Sequence, residues 1–352
     1  MPLSWVLKPI AIASAVAFGA LGVLSRRYQR ARFYFNLTIY VTTLASASLW
    51  GLLISIIATA AGQRYNINYF VARSFYQIAH PLMGLHFDVE GQEHLDGLLT
   101  ARNGKPQSAV ILGNHQSMLD ILYLGRIFPR RTSIMAKKEL KMTPILGQYM
   151  TLSGAVFIDR KNRKNAVATV EQAGASMKKN DVSIWIFPEG TRSLHPEPSM
   201  LPFKKGAFHL AVQAQVPVVP VVCENYYRLF DSKTRLDGGR LKIKILPPIP
   251  TVGLTADDVT SLVESTQKLM LETLKEISAP PAPPAIKAPR AADSSSAKTT
   301  SSQLAVQGDT ELRSRAASDT AAKSITTSTE SLQTTEDEMD DDAVLLKRPK
   351  AE

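Results

Sequence analysis

Apolar positions along this chain follow three different patterns. From Pro9 to Leu24, and again from Phe33 to Gly62, no residue is charged. A helix rises about 1.5 Å per residue, so roughly 20 apolar residues cross a hydrocarbon core of about 30 Å. The second run, with Leu49, Trp50, Leu52, Leu53, Ile54, Ile56 and Ile57, exceeds that length. The first is shorter and reaches across only if Lys8 snorkels outward. Both read as retained membrane helices. A cleaved signal peptide would carry a more basic leading segment and would not be followed at once by a second anchor. Arg26, Arg27, Arg30 and Arg32 lie between the runs, which places that loop in the cytosol. If the second helix crosses fully, everything after it lies on the opposite side of the membrane. A re-entrant second helix returns the remainder to the cytosol.

From residue 65 to 278 short apolar runs alternate with helical patterns. Ala109–Leu112, Ser133–Ala136, Ala155–Ile158, Val182–Phe187, Val216–Cys223 and Leu241–Leu246 read as strands. Met118–Phe128, Glu139–Met150, Arg163–Lys178, Gly206–Gln213 and Thr255–Ile277 read as helices. This alternation predicts an α/β domain, a largely parallel central sheet flanked by helices, preceded by an N-terminal two-helix membrane segment over 1–64. In such sheets, sites gather where strands give way to loops.

From 279 to 352 the pattern ends. Pro280, Pro281, Pro283 and Pro284 open a stretch rich in Ser, Thr and Ala, with an acidic run at Glu336–Asp342. Too few apolar groups are present to offset the entropy of ordering, so this tail is predicted to be disordered. It carries 9 basic and 12 acidic residues; with the chain at +10, the remainder is +13. The basicity therefore belongs to the membrane and α/β regions, and it suits anionic membranes or substrates. No nucleic-acid recognition pattern accompanies it. One cysteine, Cys223, excludes an internal disulfide and a cysteine zinc site. The six histidines lack metal-ligand spacing, so neither metal nor cofactor is expected.

Chemistry-bearing residues fall at strand ends. His115 follows the strand Ala109–Leu112, and Asp120 lies five residues on. These are a candidate general base and its orienting partner. On one regular helix they would point about 140° apart, so they meet only if His115 precedes the helix and Asp120 sits in its first turns. Taken alone, such a pair is more often a loop histidine and a helix cap. Asp159 and Arg160 follow the next-but-one strand; alone they read as an ion pair, or as a planar guanidinium offered to a phosphate. Pro188, Glu189, Gly190, Thr191 and Arg192 form a sharp turn that lets a ligand approach the backbone and adds a second cation. The basic pairs Lys137–Lys138 and Lys204–Lys205 are, singly, solvated surface. The prolines of Val216–Val221 suggest an edge strand or bulge, in plain core.

Taken in order, NHQSMLD (Asn114–Asp120), GAVFIDR (Gly154–Arg160), FPEGTR (Phe187–Arg192) and VPVVPV (Val216–Val221) closely resemble the 1-acylglycerol-3-phosphate acyltransferase family. The resemblance covers roughly 85–222. It implies that His115 is the catalytic base and Asp120 its partner. It implies that Arg160, Glu189, Gly190, Thr191 and Arg192 help bind a glycerol phosphate. AKKEL (Ala136–Leu140) and FKKGAF (Phe203–Phe208) also look like the family, which makes Lys137 and Lys204 further phosphate contacts. The implied reaction moves a fatty acyl group from acyl-CoA to the sn-2 hydroxyl of lysophosphatidic acid, giving phosphatidic acid, at a membrane and in the endoplasmic reticulum. Rival readings are another acceptor, glycerol 3-phosphate or a different lysophospholipid, and a non-catalytic lipid-binding or scaffolding protein. The latter would lack His115 or Asp120. A GxSxG elbow is missing, so neither Ser117 nor Cys223 reads as a nucleophile. A phosphate-binding GxxxxGK[ST] loop is missing too.

Overall fold

The computed structural model describes residues 4–98, 107–160 and 162–278. The tail expected to be disordered, 279–352, lies outside the described residues. Two long apolar helices come first, α1 (Ser4–Ser25) and α2 (Gln29–Ala60). A third, α3 (Ile67–Met83), leads into β1 (Leu85–Glu90) and a short α4 (Gln92–Asp96). Then follow β2 (Val110–Gly113), α5 (Asp120–Ile127), β3 (Thr132–Lys137), a 3-10 turn (Lys138–Met142), α6 (Leu146–Leu152) and β4 (Val156–Ile158). The chain continues through α7 (Arg163–Asn180), β5 (Ser183–Ile186), α8 (Gly206–Ala214), β6 (Val218–Cys223), β7 (Gly239–Ile245) and α9 (Val259–Ile277).

The seven strands form one sheet in the order β1-β7-β6-β2-β5-β3-β4. Every pairing is parallel except β6 with β7. The central strands β2, β5 and β6 are buried at every position, as expected of parallel strands covered on both faces. On one face Phe75, Tyr76, Leu122, Tyr123 and Trp185 join the sheet to α2, α3 and α5. On the other, Val170, Phe208, Leu210 and Met270 join it to α7, α8 and α9. Because β2, β5, β3 and β4 run parallel, their carboxyl ends open together, and the site is built there.

Helix α2 is more than an anchor. Phe33, Asn36, Tyr40, Thr43, Gly51, Ser55 and Ala58 recur at helical spacing and are buried along one stripe. Asn36 donates to the Leu236 carbonyl at 2.7 Å, Arg32 pairs with Asp237 at 2.9 Å, and the Tyr40 hydroxyl donates to the Met118 carbonyl. The opposite face, with Tyr34, Val41, Leu49, Trp50, Leu53, Ile56 and Ile57, is exposed and apolar. All described residues belong to one compact unit.

Two expectations need correcting. The single helix expected over Glu139–Met150 is a 3-10 turn followed by α6, because Pro144 cannot continue a helix and pushes Thr143 into an extended conformation. The strand carrying Pro217 and Pro220 is not an edge: β6 lies between β2 and β7. Pro217 precedes the strand and uses only its carbonyl, which accepts from Val110 N–H. Pro220 does sit at an irregularity of bulge type: Val221 pairs with Ile245 but Val218 with Ile249, so the partner carries one extra residue opposite Pro220, whose carbonyl accepts from Leu246 N–H.

Gly91 closes the turn between β1 and α4 with φ +75°, and a Cβ there would lie 2.1 Å from the Ile245 carbonyl oxygen. Gly91→Ala should therefore cost about 2–3 kcal/mol, a fall of roughly 5–10 °C in Tm, measured by thermal unfolding in detergent. An unchanged Tm would mean that β1 and β7 are not locked together through this turn.

Candidate active site

The β2-to-α5 connection carries the site. Asn114 locks it to β6: its side-chain N–H donates to the Cys223 carbonyl at 2.9 Å, and Cys223 N–H donates to Asn114 Oδ1 at 2.8 Å. Gln116 adds donations to the Cys223 and Glu224 carbonyls at 3.2 and 2.9 Å. Helix α5 begins at Asp120 itself, so His115 lies in the loop before it and the two side chains meet. His115 Nδ1 is 2.7 Å from Asp120 Oδ2. The same oxygen accepts from Gln116 N–H at 2.8 Å and Ser117 N–H at 3.1 Å. An aspartate in the first helical turn is also favoured by the helix dipole. The Asp120 side chain is 1% exposed and that of His115 18%. A carboxylate accepts only, so His115 carries its proton on Nδ1 and leaves Nε2 as a lone-pair acceptor.

Tyr226, which the sequence did not single out, completes the carboxylate's shell. Its hydroxyl donates to Asp120 Oδ1 at 2.6 Å and lies 2.8 Å from Ser117 Oγ. Burial, and then the Asp120 charge, push this hydroxyl well above its ordinary pKa, so it stays a neutral donor. Tyr226 is 111 residues from His115, and only the return of β6 beside β2 unites them; no local pattern could have marked it. Ser117 is buried and turned into this network, where its Oγ also accepts from Leu119 N–H at 3.1 Å. The Cys223 thiol is wholly buried, and burial pushes its pKa well up. Neither has the setting of an activated nucleophile.

The turn after β5 packs against this loop. The Phe187 ring stacks on the His115 ring with centroids 4.0 Å apart. Ser193 N–H donates to the His115 carbonyl at 2.9 Å. Glu189 is 3% exposed and its carboxylate accepts from His115 N–H at 2.7 Å, Ser193 Oγ–H at 2.6 Å and Leu201 N–H at 2.9 Å. Burial raises its pKa, and these three bonds offset part of that rise. Glu189 is thus a clamp between two loops, its carboxylate oxygens occupied by donors of the protein itself.

The expected cations sit around the same end. Gly190, at φ +74°, turns its carbonyl to accept from Arg160 Nη1, and the position of its absent Cβ lies 3.8 Å from that nitrogen and 3.5 Å from Lys204 Cγ. Lys204 N–H donates to the Pro188 carbonyl at 2.8 Å. Lys137 ends β3 in register with Ile158, one residue before Asp159, and Asp159 pairs with Lys138 at 3.0 Å. Lys137, Arg160, Thr191, Arg192 and Lys204 are all exposed. Among the described residues no cluster of His, Cys, Asp and Glu could hold a metal.

A protein-family model described as Acyltransferase matches residues 86–224. A 1-acyl-sn-glycerol-3-phosphate acyltransferase of Saccharomyces cerevisiae is 41% identical over 251 residues, 71% of this chain and 80% of that protein. The chain belongs to the 1-acyl-sn-glycerol-3-phosphate acyltransferase family. An acyltransferase of Schizosaccharomyces pombe is 40% identical over 77% of this chain and 96% of its own length. The crystal structure of the 1-acyl-sn-glycerophosphate (LPA) acyltransferase PlsC of Thermotoga maritima superposes with a TM-score of 0.55 at 25% identity, covering 70% of this chain and 98% of that one. This acyltransferase is therefore an enzyme with a mixed α/β sheet preceded by two apolar helices. The family match ends two residues before Tyr226, so Tyr226 lies just outside the matched segment.

In this acyltransferase, Tyr226→Phe removes a hydrogen bond to a buried carboxylate while keeping the ring. We expect kcat to fall by about tenfold, that is about 1.4 kcal/mol, with KM nearly unchanged. Steady-state kinetics in detergent check this, and an unchanged kcat would show that Asp120 holds His115 without the hydroxyl.

Proposed function

We propose that the chain transfers a fatty acyl group from acyl-CoA to the sn-2 hydroxyl of lysophosphatidic acid, giving phosphatidic acid. The observation that carries this reading is the His115–Asp120 pair, with one ring nitrogen fixed and the other free, at a strand end ringed by Lys137, Arg160, Arg192 and Lys204. Relatives named for this reaction, at about 40% identity, support the acceptor. The thioester donor is our own addition.

Nε2 of His115 takes the proton of the acceptor hydroxyl as its oxygen attacks the thioester carbonyl. Asp120 holds the imidazole in the right tautomer and stabilises its positive form. The tetrahedral intermediate then collapses, the C–S bond breaks, and the thiolate takes the proton from the imidazolium. A thiol, with a pKa near about 8.5, leaves far more easily than an alcohol. A general base of this kind contributes about 10²–10⁴-fold in rate. The guanidinium groups of Arg160 and Arg192 offer bidentate contacts to a phosphate, with Lys137 and Lys204 as point charges. Cofactors play no part in this scheme; acyl-CoA is a co-substrate.

Membrane placement follows from the two apolar helices, both long enough to enter a bilayer. Because α2 is packed along its length on the α/β body, we favour the re-entrant arrangement, with the body on the cytosolic face where acyl-CoA is made. An integral protein of the endoplasmic reticulum fits that arrangement and a role in phospholipid synthesis.

The test is acyl transfer from labelled oleoyl-CoA in detergent, with lysophosphatidic acid, glycerol 3-phosphate and lysophosphatidylcholine as acceptors. We expect labelled phosphatidic acid, reduced by at least about 10²-fold in His115→Ala and substantially retained in Ser117→Ala. Labelling of a different acceptor would change the substrate; full activity in His115→Ala would remove the base.

A further inference from the structure

The connection between β3 and α6 presents an apolar tip that the active site does not use. None of the residues of its 3-10 turn, Lys138–Met142, is buried. Met142 is 83% exposed, Ile145 39% and Leu140 38%. Three large apolar side chains within six residues, all turned to solvent, are unusual in a connection that is otherwise tightly built. Ile145 adopts φ +65° and ψ −55°, a conformation that a β-branched residue takes only under constraint. The constraint is visible at Gly147: a Cβ there would lie 2.1 Å from the Lys141 carbonyl oxygen and 2.9 Å from that of Leu140. The turn is thus folded back on the start of α6 and held there. Helix α6 in turn is seated on α2, where the Tyr149 ring fills the space left by Gly51 and the Tyr149 hydroxyl donates to Asn68 Oδ1 at 2.9 Å.

We infer that this tip is a second membrane contact, inserting Leu140, Met142 and Ile145 into an anionic bilayer surface beside α2. Three observations select a bilayer as the occupant. The tip is tied through α6 to α2, the helix whose outward face exposes Leu49, Trp50, Leu53, Ile56 and Ile57. It is rimmed by Lys137, Lys138 and Lys141, against Glu139 and the Asp159 that pairs with Lys138, a rim still basic on balance, which suits anionic headgroups above buried side chains. Its rigid seating avoids the cost of ordering a loose loop on insertion. The tip follows directly on Lys137 at the carboxyl end of β3, so insertion there would bring the mouth of the site to the headgroup layer, where a lysophospholipid presents its glycerol phosphate.

The inference rests on reading α2 as a membrane helix, and the experiment separates the two. The full chain is placed in nanodiscs of phosphatidylcholine with about a quarter phosphatidylserine. Single cysteines are introduced as Met142→Cys on the tip, Ile56→Cys on the outward face of α2, and Lys179→Cys at the end of α7 on the other side of the sheet. Each is labelled with an environment-sensitive fluorophore; Cys223, wholly buried, stays unlabelled in the folded protein and the wild type serves as blank. We expect the Met142 and Ile56 probes to be blue-shifted, quenched by lipid-borne spin labels and protected from iodide. The Lys179 probe should behave oppositely. A Met142 probe that matches the Lys179 probe while Ile56 is lipid-immersed overturns the second contact and leaves a protein partner as its occupant. Probes at both Met142 and Ile56 that match Lys179 overturn the membrane reading of α2 itself.

Discussion

The architecture depends on one buried carboxylate. Asp120 is 1% exposed, and a charge so placed survives only if its lone pairs are filled. Four donors fill them: His115 Nδ1–H, the N–H groups of Gln116 and Ser117, and the Tyr226 hydroxyl. They come from three different constraints. The backbone donors require the loop to wrap the first turn of α5. The tyrosine requires β6 to lie beside β2. The histidine is the one donor whose bond bears on the proposed chemistry, because it fixes which ring nitrogen is free. The electrostatic need of the carboxylate and the orientation of the base are thus one arrangement seen from two sides.

The membrane elements tie into the same loop. Tyr40, on the buried stripe of α2, donates to the carbonyl of Met118, within the segment between His115 and Asp120. An anchor that packed loosely would leave that carbonyl with only the long bond from Ile121 N–H, at 3.4 Å. Helix α2 therefore serves as one wall of the α/β body while its other face is exposed and apolar. A lipid-acylating enzyme gains from this, since its substrates reach it from the plane of the membrane.

Much of this was legible in the sequence. The alternation of apolar runs gave the parallel sheet, and the five-residue spacing of His115 and Asp120 gave a candidate base–carboxylate pair that could meet only if His115 preceded a helix with Asp120 in its first turns. What stayed hidden was long-range. Tyr226 and the Glu189 clamp depend on which strands become neighbours, and Glu189 looks from its turn like a ligand-facing group although its oxygens point inward. Helix α3 was missed although Ile67, Val71, Phe75, Ala79 and Met83 recur every four residues along its buried face, where it packs between α2 and α5. Pro220 was legible as a bulge but not as part of a central strand, because an interior proline is tolerated where the partner carries an extra residue, here between Ile245 and Ile249.

The central claim is that acyl transfer is direct, from thioester to hydroxyl, with His115 as base and no covalent enzyme intermediate. The most direct measurement is rapid mixing of the protein with labelled acyl-CoA in the absence of acceptor. Acid quenching within one turnover and mass measurement of the intact chain then follow. The account predicts unmodified protein, and product only when lysophosphatidic acid is added. A stoichiometric acyl adduct, on Ser117 or on any other residue, would contradict it.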